Sequence, residues 1–212
     1  MKKRAVFEHD KREKTLHLVQ VAAQLLEHEP FAALSMNRIA EVAKVAKGTL
    51  YLYFPTKEAL ALAVHRQDYI IWFEDLKRWC QGPENDFAAW LIDSLRRYPR
   101  FLQLIPLVAI VFEPQAGEEA LIQYKRTLIQ AIAEIAPLLA PKLGLDPNQV
   151  APLLIQINAM IKGLWAHGFP PPTLAKILAH PEFESLNISF FEFLEQSVNQ
   201  LLMGLKGSHQ ND

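Results

Sequence analysis

The chain has 212 residues, of which 50% are apolar and 21% are charged, with 22 Lys and Arg against 23 Asp and Glu. A chain of this length can bury a substantial core, and its few glycines exclude a collagen-like or disordered protein and favour packed helices. The single cysteine, Cys80, excludes an intramolecular disulfide framework and is typical of a reducing compartment. An isolated cysteine near a predicted helix end most often acts as a small apolar residue and not as a redox sensor.

The charge is distributed unevenly along the chain. Residues 1–57 hold ten Lys and Arg against six Asp and Glu, a net charge of +4, whereas residues 58–212 hold twelve against seventeen, a net charge of −5. A basic N-terminal part suits a protein that brings one end to phosphate, although ordinary surface variation produces the same asymmetry. The strongest apolar run, residues 101–112, is too short to span a bilayer, and no signal peptide pattern precedes it. We therefore expect a cytoplasmic protein without a membrane partner.

The N-terminal part predicts a basic arm followed by helices. Residues 1–9 show no apolar period, so we expect a mobile arm there, and a helix begins at about Asp10 with apolar side chains at spacings of three and four. Pro30 marks the end of this helix. Ser35 precedes a short second helix, where its hydroxyl can accept a hydrogen bond from an amide of the first turn.

A third short helix and a long fourth helix follow. Residues 44–46 form a brief connection, and residues 47–54 form the third helix, which ends before Pro55. Thr56 is expected to cap the fourth helix, which extends to about Trp79.

Further helices are predicted in the remainder of the chain, separated by breaks rich in Pro and Gly. They cover about residues 86–98, 101–112, 118–139, 148–165 and 185–205, with a short helix at residues 174–178. The predicted fold class is therefore all-α.

The two late segments, residues 148–165 and 185–205, carry apolar stripes that are too wide for one neighbouring helix to cover. A homodimer interface built as a four-helix bundle, with two helices from each chain, would cover them. The alternative is that both stripes face the core of the single chain. The residues predicted at the dimer interface are Ile157, Ile161, Phe191, Leu194, Val198, Leu201 and Leu202.

Residues 35–57 have the layout of a helix-turn-helix, in which a short helix with one apolar side is followed by a tight connection and a second short helix that exposes polar groups. At the start of the second helix, Lys47, Gly48 and Thr49 provide a cation, open backbone amides and a small hydroxyl. These groups lie where the helix N-terminus is partly positive, which suits both phosphate and base edges.

The same segment resembles the TetR family of bacterial transcriptional regulators. The resemblance rests on Leu-Ser-Met-Asn-Arg-Ile-Ala at residues 34–40 and Ala-Lys-Gly-Thr-Leu-Tyr-Leu-Tyr-Phe-Pro-Thr-Lys-Glu-Ala-Leu at residues 46–60. The family's Lys-Gly-x-Leu-Tyr-x-Tyr/His-Phe-x-x-Lys-x-x-Leu run has a counterpart here for every fixed element.

The resemblance implies a role for each matching residue on double-stranded DNA. Ser35 and Met36 would lie at the start of the second helix against the DNA backbone, where Met36 departs from the usual Ser or Thr. The remaining implied contacts are Lys47, Gly48, Thr49 and Tyr51 to the major groove and Tyr53 and Lys57 to phosphates, with Leu50 and Phe54 in the core. For Tyr51 and Tyr53, plain packing is the alternative.

The resemblance also implies the domain organisation. We expect a three-helix helix-turn-helix DNA-binding domain over residues 1–57 and a helical-bundle domain for ligand binding and dimerisation over residues 58–206, with a polar tail over residues 207–212. In the family the long fourth helix links the two domains, and a ligand alters the separation of the two recognition helices. This implies a repressor that a small effector releases from a palindromic operator.

The expected ligand pocket is aromatic and aliphatic with a few polar anchors, which favours a small apolar or aromatic effector. For each of these side chains, ordinary core packing is the alternative. The candidates are Trp72, Phe73, Trp90, Arg97, Phe101, Leu104, Val108, Phe112, Tyr124, Trp165 and His167.

Other functions remain as alternatives. The seven histidines lack metal-ligand spacing, and neither a Gly-rich phosphate loop nor a nucleophile motif occurs, so we expect no catalytic residue, metal or cofactor. A helical enzyme or small-molecule carrier is the remote alternative. An activator, or a regulator without a small ligand, fits the same residues as a repressor.

Overall fold

The structure is a computed structural model that describes the backbone of residues 2–207 and the side chains of residues 9–206. Within this range every regular element is helical, which confirms the all-α fold class. The α-helices are α1 (Lys2–His28), α2 (Met36–Val42), α3 (Lys47–Tyr53), α4 (Lys57–Gln81), α5 (Phe87–Arg97), α6 (Pro99–Leu107), α7 (Glu118–Leu143), α8 (Pro147–Gly168), α9 (Pro172–Leu178) and α10 (Phe190–Gly207). Short 3-10 turns cover Phe31–Ala33 and Pro181–Leu186, and a π-helical turn covers Val108–Phe112.

Three helix boundaries differ from the sequence-based expectation. α1 begins at Lys2 and replaces the arm expected over residues 1–9, since no Gly or Pro interrupts the helix before Asp10. α10 begins only at Phe190, because a 3-10 turn occupies Pro181–Leu186. α7 continues to Leu143 through two internal prolines. Of the expected polar tail, residues 208–212 lie outside the described residues.

The chain forms two compact units. The first contains Met1–Tyr69 and Leu107–Leu128, and the second contains Ile70–Pro106 and Ile129–Asp212. The expected division after residue 57 therefore differs from the observed units, because the start of α4 and a segment from the C-terminal half both belong to the first unit. α4 and α7 each contribute residues to both units.

The core of the first unit joins α1, α2 and α3. Leu18, Ala22 and Leu26 share one face of α1 at spacings of four, and they are buried together with Ile39 of α2 and Leu50 of α3. Each large apolar side chain buried in this way contributes about 1.5–3 kcal/mol to folding. This core fixes the orientation of the short α3, which is too short to be stable alone.

The second unit is built around α10, which packs against both α5 and α8. Its buried side chains include Leu91 and Leu95 of α5, Ile157 of α8, and Leu194 and Val198 of α10. Two neighbouring helices thus cover the apolar stripe of α10.

The predicted helix caps at Ser35 and Thr56 are confirmed. The Ser35 Oγ accepts a hydrogen bond of 3.2 Å from the backbone amide of Arg38, and the Thr56 Oγ1 accepts one of 3.0 Å from the amide of Ala59. Such caps contribute about 1 kcal/mol each and fix where α2 and α4 begin.

No single helix among the described residues has the length and apolarity to cross a membrane. α7 and α8 meet the criteria of length and apolarity only as a pair. The two helices are bent by 98° at their junction.

Candidate DNA-binding surface

The turn between α2 and α3 is tight and closes with two backbone hydrogen bonds. The amide of Val45 donates to the carbonyl of Ala40 at 3.0 Å, and the amide of Lys44 donates to the carbonyl of Glu41 at 3.2 Å. Lys44 has a φ of 54°, in the left-handed region where glycine is favoured. This helix ending reverses the chain within four residues, so that α3 packs against α2 as in a helix-turn-helix.

α3 has one buried side and one solvent-facing side. Leu50 is fully buried, and Phe54 directly after the helix is buried as well, so both belong to the core as expected. The predicted DNA contacts on this helix lie elsewhere on its surface. Lys47, Gly48 and Tyr51 are exposed, and Thr49 and Tyr53 are half-buried. The structure therefore brings five of the eight predicted DNA contacts together on α3.

The other three predicted contacts differ in their surroundings. Ser35 is exposed, and its hydroxyl accepts the hydrogen bond that caps α2. Met36 is buried, because its apolar side chain packs into the core, so the expected place against the DNA backbone is wrong for its side chain. The Lys57 Nζ donates to the carbonyl of Leu34 at 3.2 Å and lies 4.4 Å from the centroid of the Phe31 ring. Its side chain is half-buried, and one N–H group of its ammonium is used within the unit.

Two surface residues of the helix-turn-helix escaped the sequence analysis. Val42 of α2 is exposed, and Leu52 of α3 is 83% exposed. The sequence did indicate that Leu52 is exposed. Leu52 and Gly48, four residues apart, share the side of the helix that lies opposite the inward Leu50.

A segment of the C-terminal half belongs to the same unit and contacts the residues on either side of the helix-turn-helix. Phe112, at the end of the π-helical turn, lies edge-on to Phe31 with ring centroids 4.8 Å apart. The Thr56 Oγ1 donates to the carbonyl of Gln115 at 3.0 Å. The π-helical turn follows Pro106, which has no amide hydrogen to donate to a hydrogen bond within α6. Phe112 was predicted to line a ligand pocket, but it is fully buried in the core of the DNA-binding unit.

Tyr124, another predicted pocket residue, lies in a buried polar cluster of this unit. Its hydroxyl is 3.2 Å from the Nδ1 of His65, whose ring packs against Tyr69 with centroids 4.9 Å apart. Burial raises the pKa of Tyr124, and the neighbouring Tyr69 and Glu113 add to this effect. The hydroxyl therefore keeps its proton and can act as a hydrogen-bond donor. Val108, also predicted for the pocket, is buried in the same unit.

In the second unit, the predicted pocket residues of α4, α5 and α6 pack against one another. Trp72 lies 5.3 Å from Phe73, 5.6 Å from Trp90 and 5.8 Å from Phe101, measured between ring centroids. The Trp72 Nε1 donates to the Oγ of Ser94 at 3.0 Å. Leu104 is buried too. These side chains form an aromatic core in the structure, and their role towards a ligand stays a prediction.

The remaining pocket candidates of the second unit lie in two further places. Arg97 donates to the carboxylate of Asp75 at 2.8 Å, and together with Trp90 it lines a shallow cleft of about 460 Å³. The ring of Trp165, near the end of α8, lies tilted by 37° against that of Phe169 with centroids 4.3 Å apart, whereas His167 is exposed.

Five of the seven residues predicted at the dimer interface are buried within the single chain. They are Ile157, Ile161, Leu194, Val198 and Leu202, whereas Phe191 and Leu201 are half-buried. The expectation that a second chain is needed to cover these five was wrong, because α10 packs against both α5 and α8. The solvent-facing sides of α8 and α10 carry different apolar side chains.

One exposed group on α1 could attract a cation. His9, Asp10 and Glu13 place their ligand atoms within 4.8 Å of one another, with His9 and Glu13 3.8 Å apart. All three side chains are exposed on one turn of a helix, where acidic groups commonly lie without a metal, and no buried donor supports them.

A tight helix-turn-helix whose second helix is anchored by Leu50 and presents a cation, an open glycine and hydroxyl groups defines a helix-turn-helix DNA-binding regulator. Two family models match the chain, that of bacterial regulatory proteins of the tetR family over residues 18–64 and that of tetracyclin repressor-like C-terminal domains over residues 66–209. The chain belongs to the TetR family of transcriptional regulators. Members of this family regulate transcription and are not enzymes, which agrees with the sequence-based expectation.

Among curated relatives, the HTH-type transcriptional repressor NemR of Escherichia coli K12 is 31% identical over 80 residues, covering 38% of this chain and 39% of NemR. The HTH-type transcriptional regulator RutR of the same organism is 32% identical over 110 residues, covering 47% of this chain and 52% of RutR. The chain thus spans about half, or less, of the length of these relatives.

Solved structures share the fold over nearly the whole chain. The fatty acid degradation regulator FadR of Bacillus halodurans has a TM-score of 0.54 at 16% identity, covering 90% of this chain and 95% of that structure. FadR of Bacillus subtilis in complex with stearoyl-CoA has a TM-score of 0.54 at 16% identity, covering 88% and 96%. At this identity the likeness concerns the fold.

Proposed function

We propose that the protein is a cytoplasmic, homodimeric transcriptional repressor that binds a palindromic operator and is released by a small, largely apolar or aromatic effector. The observation that carries this proposal is the solvent-facing side of α3, where Lys47, Gly48 and Tyr51 are exposed together while Leu50 holds the helix in the core. A dimer would place two such helices in successive major grooves, about 34–36 Å apart.

On this proposal, Lys47, Gly48, Thr49 and Tyr51 face the major groove, and the Tyr53 hydroxyl contacts a phosphate. Lys57 contacts a second phosphate, since its hydrogen bond to the Leu34 carbonyl uses one N–H group of the ammonium and leaves two for DNA. Groove contacts carry sequence information, whereas phosphate contacts position the protein on any sequence.

The operator is obtained first by selecting random DNA on the purified protein, and binding is then titrated with salt and with a random-sequence competitor. Specific binding that falls steeply with salt supports the proposal, and binding no stronger than to random DNA contradicts it. Tyr53→Phe should weaken all sequences similarly, whereas Thr49→Ala should change the preferred sequence. Lys57→Ala should also weaken all sequences similarly and reduce the salt slope by about 1.

The dimer interface is proposed on the solvent-facing sides of α8 and α10. Three apolar side chains are exposed there, Ile155 at 64%, Phe193 at 44% and Met203 at 68%. A methyl group built on Gly163 of α8 or Gly204 of α10 meets nothing within 4 Å, so the surface beside these glycines is open to a second chain. Two helices from each chain would then form a four-helix bundle.

The interface is tested by placing a charge on it. Ile155→Glu and Phe193→Glu should convert the dimer to a monomer, because a buried carboxylate without a partner opposes association. Ile110→Glu is the matched control, since Ile110 is 73% exposed and lies in the first unit. Sedimentation velocity over a range of concentrations measures the oligomeric state. Wild-type protein that is monomeric at every concentration would rule out the dimer.

We propose that an effector acts through the segment over residues 107–128. This segment contacts the 3-10 turn before α2 through Phe112 on Phe31 and the start of α4 through Gln115 on Thr56. A ligand that prefers a different position of the segment would shift the population towards a state whose recognition helices no longer match two successive grooves.

The sign of regulation is tested in cells. If the protein is a repressor, transcripts of the genes beside its operator rise when the chain is deleted, and a fall would show an activator instead. Effectors are sought by release of labelled operator with a panel of apolar and aromatic compounds, including stearoyl-CoA as the ligand of a protein with the same fold. A compound that releases DNA should also raise the melting temperature.

A further inference from the structure

Leu52 is the most exposed large apolar side chain in the described part of the chain, at 83%. It belongs to α3, and at about 100° per residue it lies about 200° around the helix from the fully buried Leu50. Leu52 therefore points away from the core of its own unit. A single exposed leucine is common on protein surfaces and has no meaning by itself. The exposure of Leu52 becomes informative together with Gly48, its neighbour on the same side of the helix.

Gly48 is four residues before Leu52 on the same side of α3. A methyl group built on Gly48 meets nothing within 4 Å, and the positive φ angles among the described glycines occur at Gly117 and Gly144 instead. Neither packing nor backbone conformation within the chain requires glycine here, although glycine is among the least favourable residues in a helix. The missing side chain instead suits a surface outside the chain that approaches α3 closely.

The two residues form one feature of the recognition helix. Because Cα–Cβ bonds tilt towards the helix N-terminus, the Leu52 side chain extends towards the turn that carries Gly48. Tyr51 and Thr49 lie on either side of the apolar surface that these two residues form, and Lys47 supplies a positive charge at the start of α3. The surface is thus apolar in its centre and polar at its edges, which matches a major groove in which a methyl group lies among hydrogen-bonding base edges.

We propose that Leu52 determines operator specificity by packing against the C5-methyl group of a thymine, and that Gly48 allows α3 to approach the groove closely enough for this contact. The thymine methyl is the apolar group among the base edges of the major groove, so it is the feature that a leucine can recognise. This inference rests on the proposed insertion of α3 into DNA.

The test removes single methyl groups from the selected operator. Each thymine of one half-site is replaced in turn by deoxyuridine, which lacks only the C5-methyl, and the Kd is measured for the wild type, Leu52→Ala and Ile110→Ala. Burial of one methyl group corresponds to about a fourfold change in Kd. The affinity of the wild type should fall about fourfold when one particular thymine is replaced. Leu52→Ala should bind DNA with or without that methyl group equally well. Ile110→Ala, the matched control, also truncates an exposed apolar side chain of the first unit but outside α3, and it should retain the penalty at that thymine.

A second variant tests the close approach. Gly48→Ala should fold with unchanged or raised melting temperature, since its methyl group has open space, and it should bind the operator more weakly than the wild type. Unchanged operator affinity in Gly48→Ala would show that DNA does not approach this turn closely and would overturn that part of the proposal.

Three results would overturn the role of Leu52. The thymine penalties of Leu52→Ala could equal those of the wild type, Leu52→Ala could weaken binding to all sequences alike, or it could change the oligomeric state, which would assign Leu52 to a protein contact. Failure of the proposed function is distinguishable from these results. In that case wild-type protein itself selects no operator, and the inference falls with it.

Discussion

Phe112 and Phe31 join the C-terminal segment of the first unit to the 3-10 turn that precedes α2. Their rings lie edge to face, with centroids 4.8 Å apart and planes at 66°. Such pairs contribute about 0.5–1.5 kcal/mol beyond the area that they bury. Replacing either ring with leucine keeps an apolar side chain and removes the ring pair. We therefore expect Phe31→Leu and Phe112→Leu to be coupled by about 1 kcal/mol in a double-mutant cycle.

The assay has to report on the first unit alone. All four tryptophans lie in the second unit, so tryptophan fluorescence would follow the unfolding of the other half of the protein. Amide hydrogen exchange of peptides from α2 and α3, measured by mass spectrometry, gives the free energy of opening for the relevant helices. Wild type, both single variants and the double variant are compared under identical conditions.

The control is Ile110→Ala on the same π-helical turn. Because Ile110 is 73% exposed, its truncation should change the free energy of opening by no more than about 0.5 kcal/mol. Additive effects of the two phenylalanine substitutions, within about 0.3 kcal/mol, would refute the reasoning. The segment over residues 107–128 would then have no energetic connection to the DNA-binding helices through this pair.

Three further predictions follow from single residues. Lys44→Gly should stabilise the first unit by about 1 kcal/mol, because glycine adopts the left-handed φ of 54° without strain, whereas Lys44→Ala should not. Burial raises the pKa of Tyr124 above its usual value near 10, so this group contributes stability that is present below pH 10 and is lost as the pH rises further. Tyr124→Phe should therefore flatten the decline of the urea midpoint between about pH 9 and 11. Burial also raises the pKa of the Cys80 thiol, so iodoacetamide should alkylate the folded protein more slowly than the urea-unfolded chain, as followed by mass spectrometry.

Each of these predictions has a clear contrary result. Equal stability of the glycine and alanine variants at position 44 would show that the turn is unstrained. An alkaline slope unchanged by Tyr124→Phe would show that its ring ionises equally in both states. Alkylation of Cys80 at the rate of the unfolded chain would contradict its burial.

Local features of the helix-turn-helix could be predicted because short-range chemistry determines them. Ser35 and Thr56 cap their helices through amides three residues ahead, and Leu50 faces inward because the spacing of apolar residues determines the buried side of a short helix. Lys57 could not be predicted in the same way. Its partner, the Leu34 carbonyl, is 23 residues away in the sequence, and only the folded chain brings the two together.

The wide apolar stripe of α10 shows a second limit. Its width predicts that more than one partner covers the helix, but a pattern of residue types contains no information on which chain supplies the partners. Val198 is buried because α5 lies on one side of α10 and α8 on the other, both in the same chain. The aromatic residues raise the same difficulty, since a tryptophan such as Trp72 has the same identity whether it fills a core or lines a pocket.

The open space beside Gly48 and the exposure of Leu52 also have a consequence for evolution. Any substitution other than proline at either position changes the helix propensity of α3 by no more than about 1 kcal/mol and leaves the core at Leu50 intact. Most variants at these two positions should therefore fold, so that with the proposed role of Leu52 and Gly48 selection acts there mainly on DNA preference. When an operator drifts by one base pair, the regulator can follow it by one substitution without passing through an unstable intermediate, so the set of controlled genes can diverge faster than the fold.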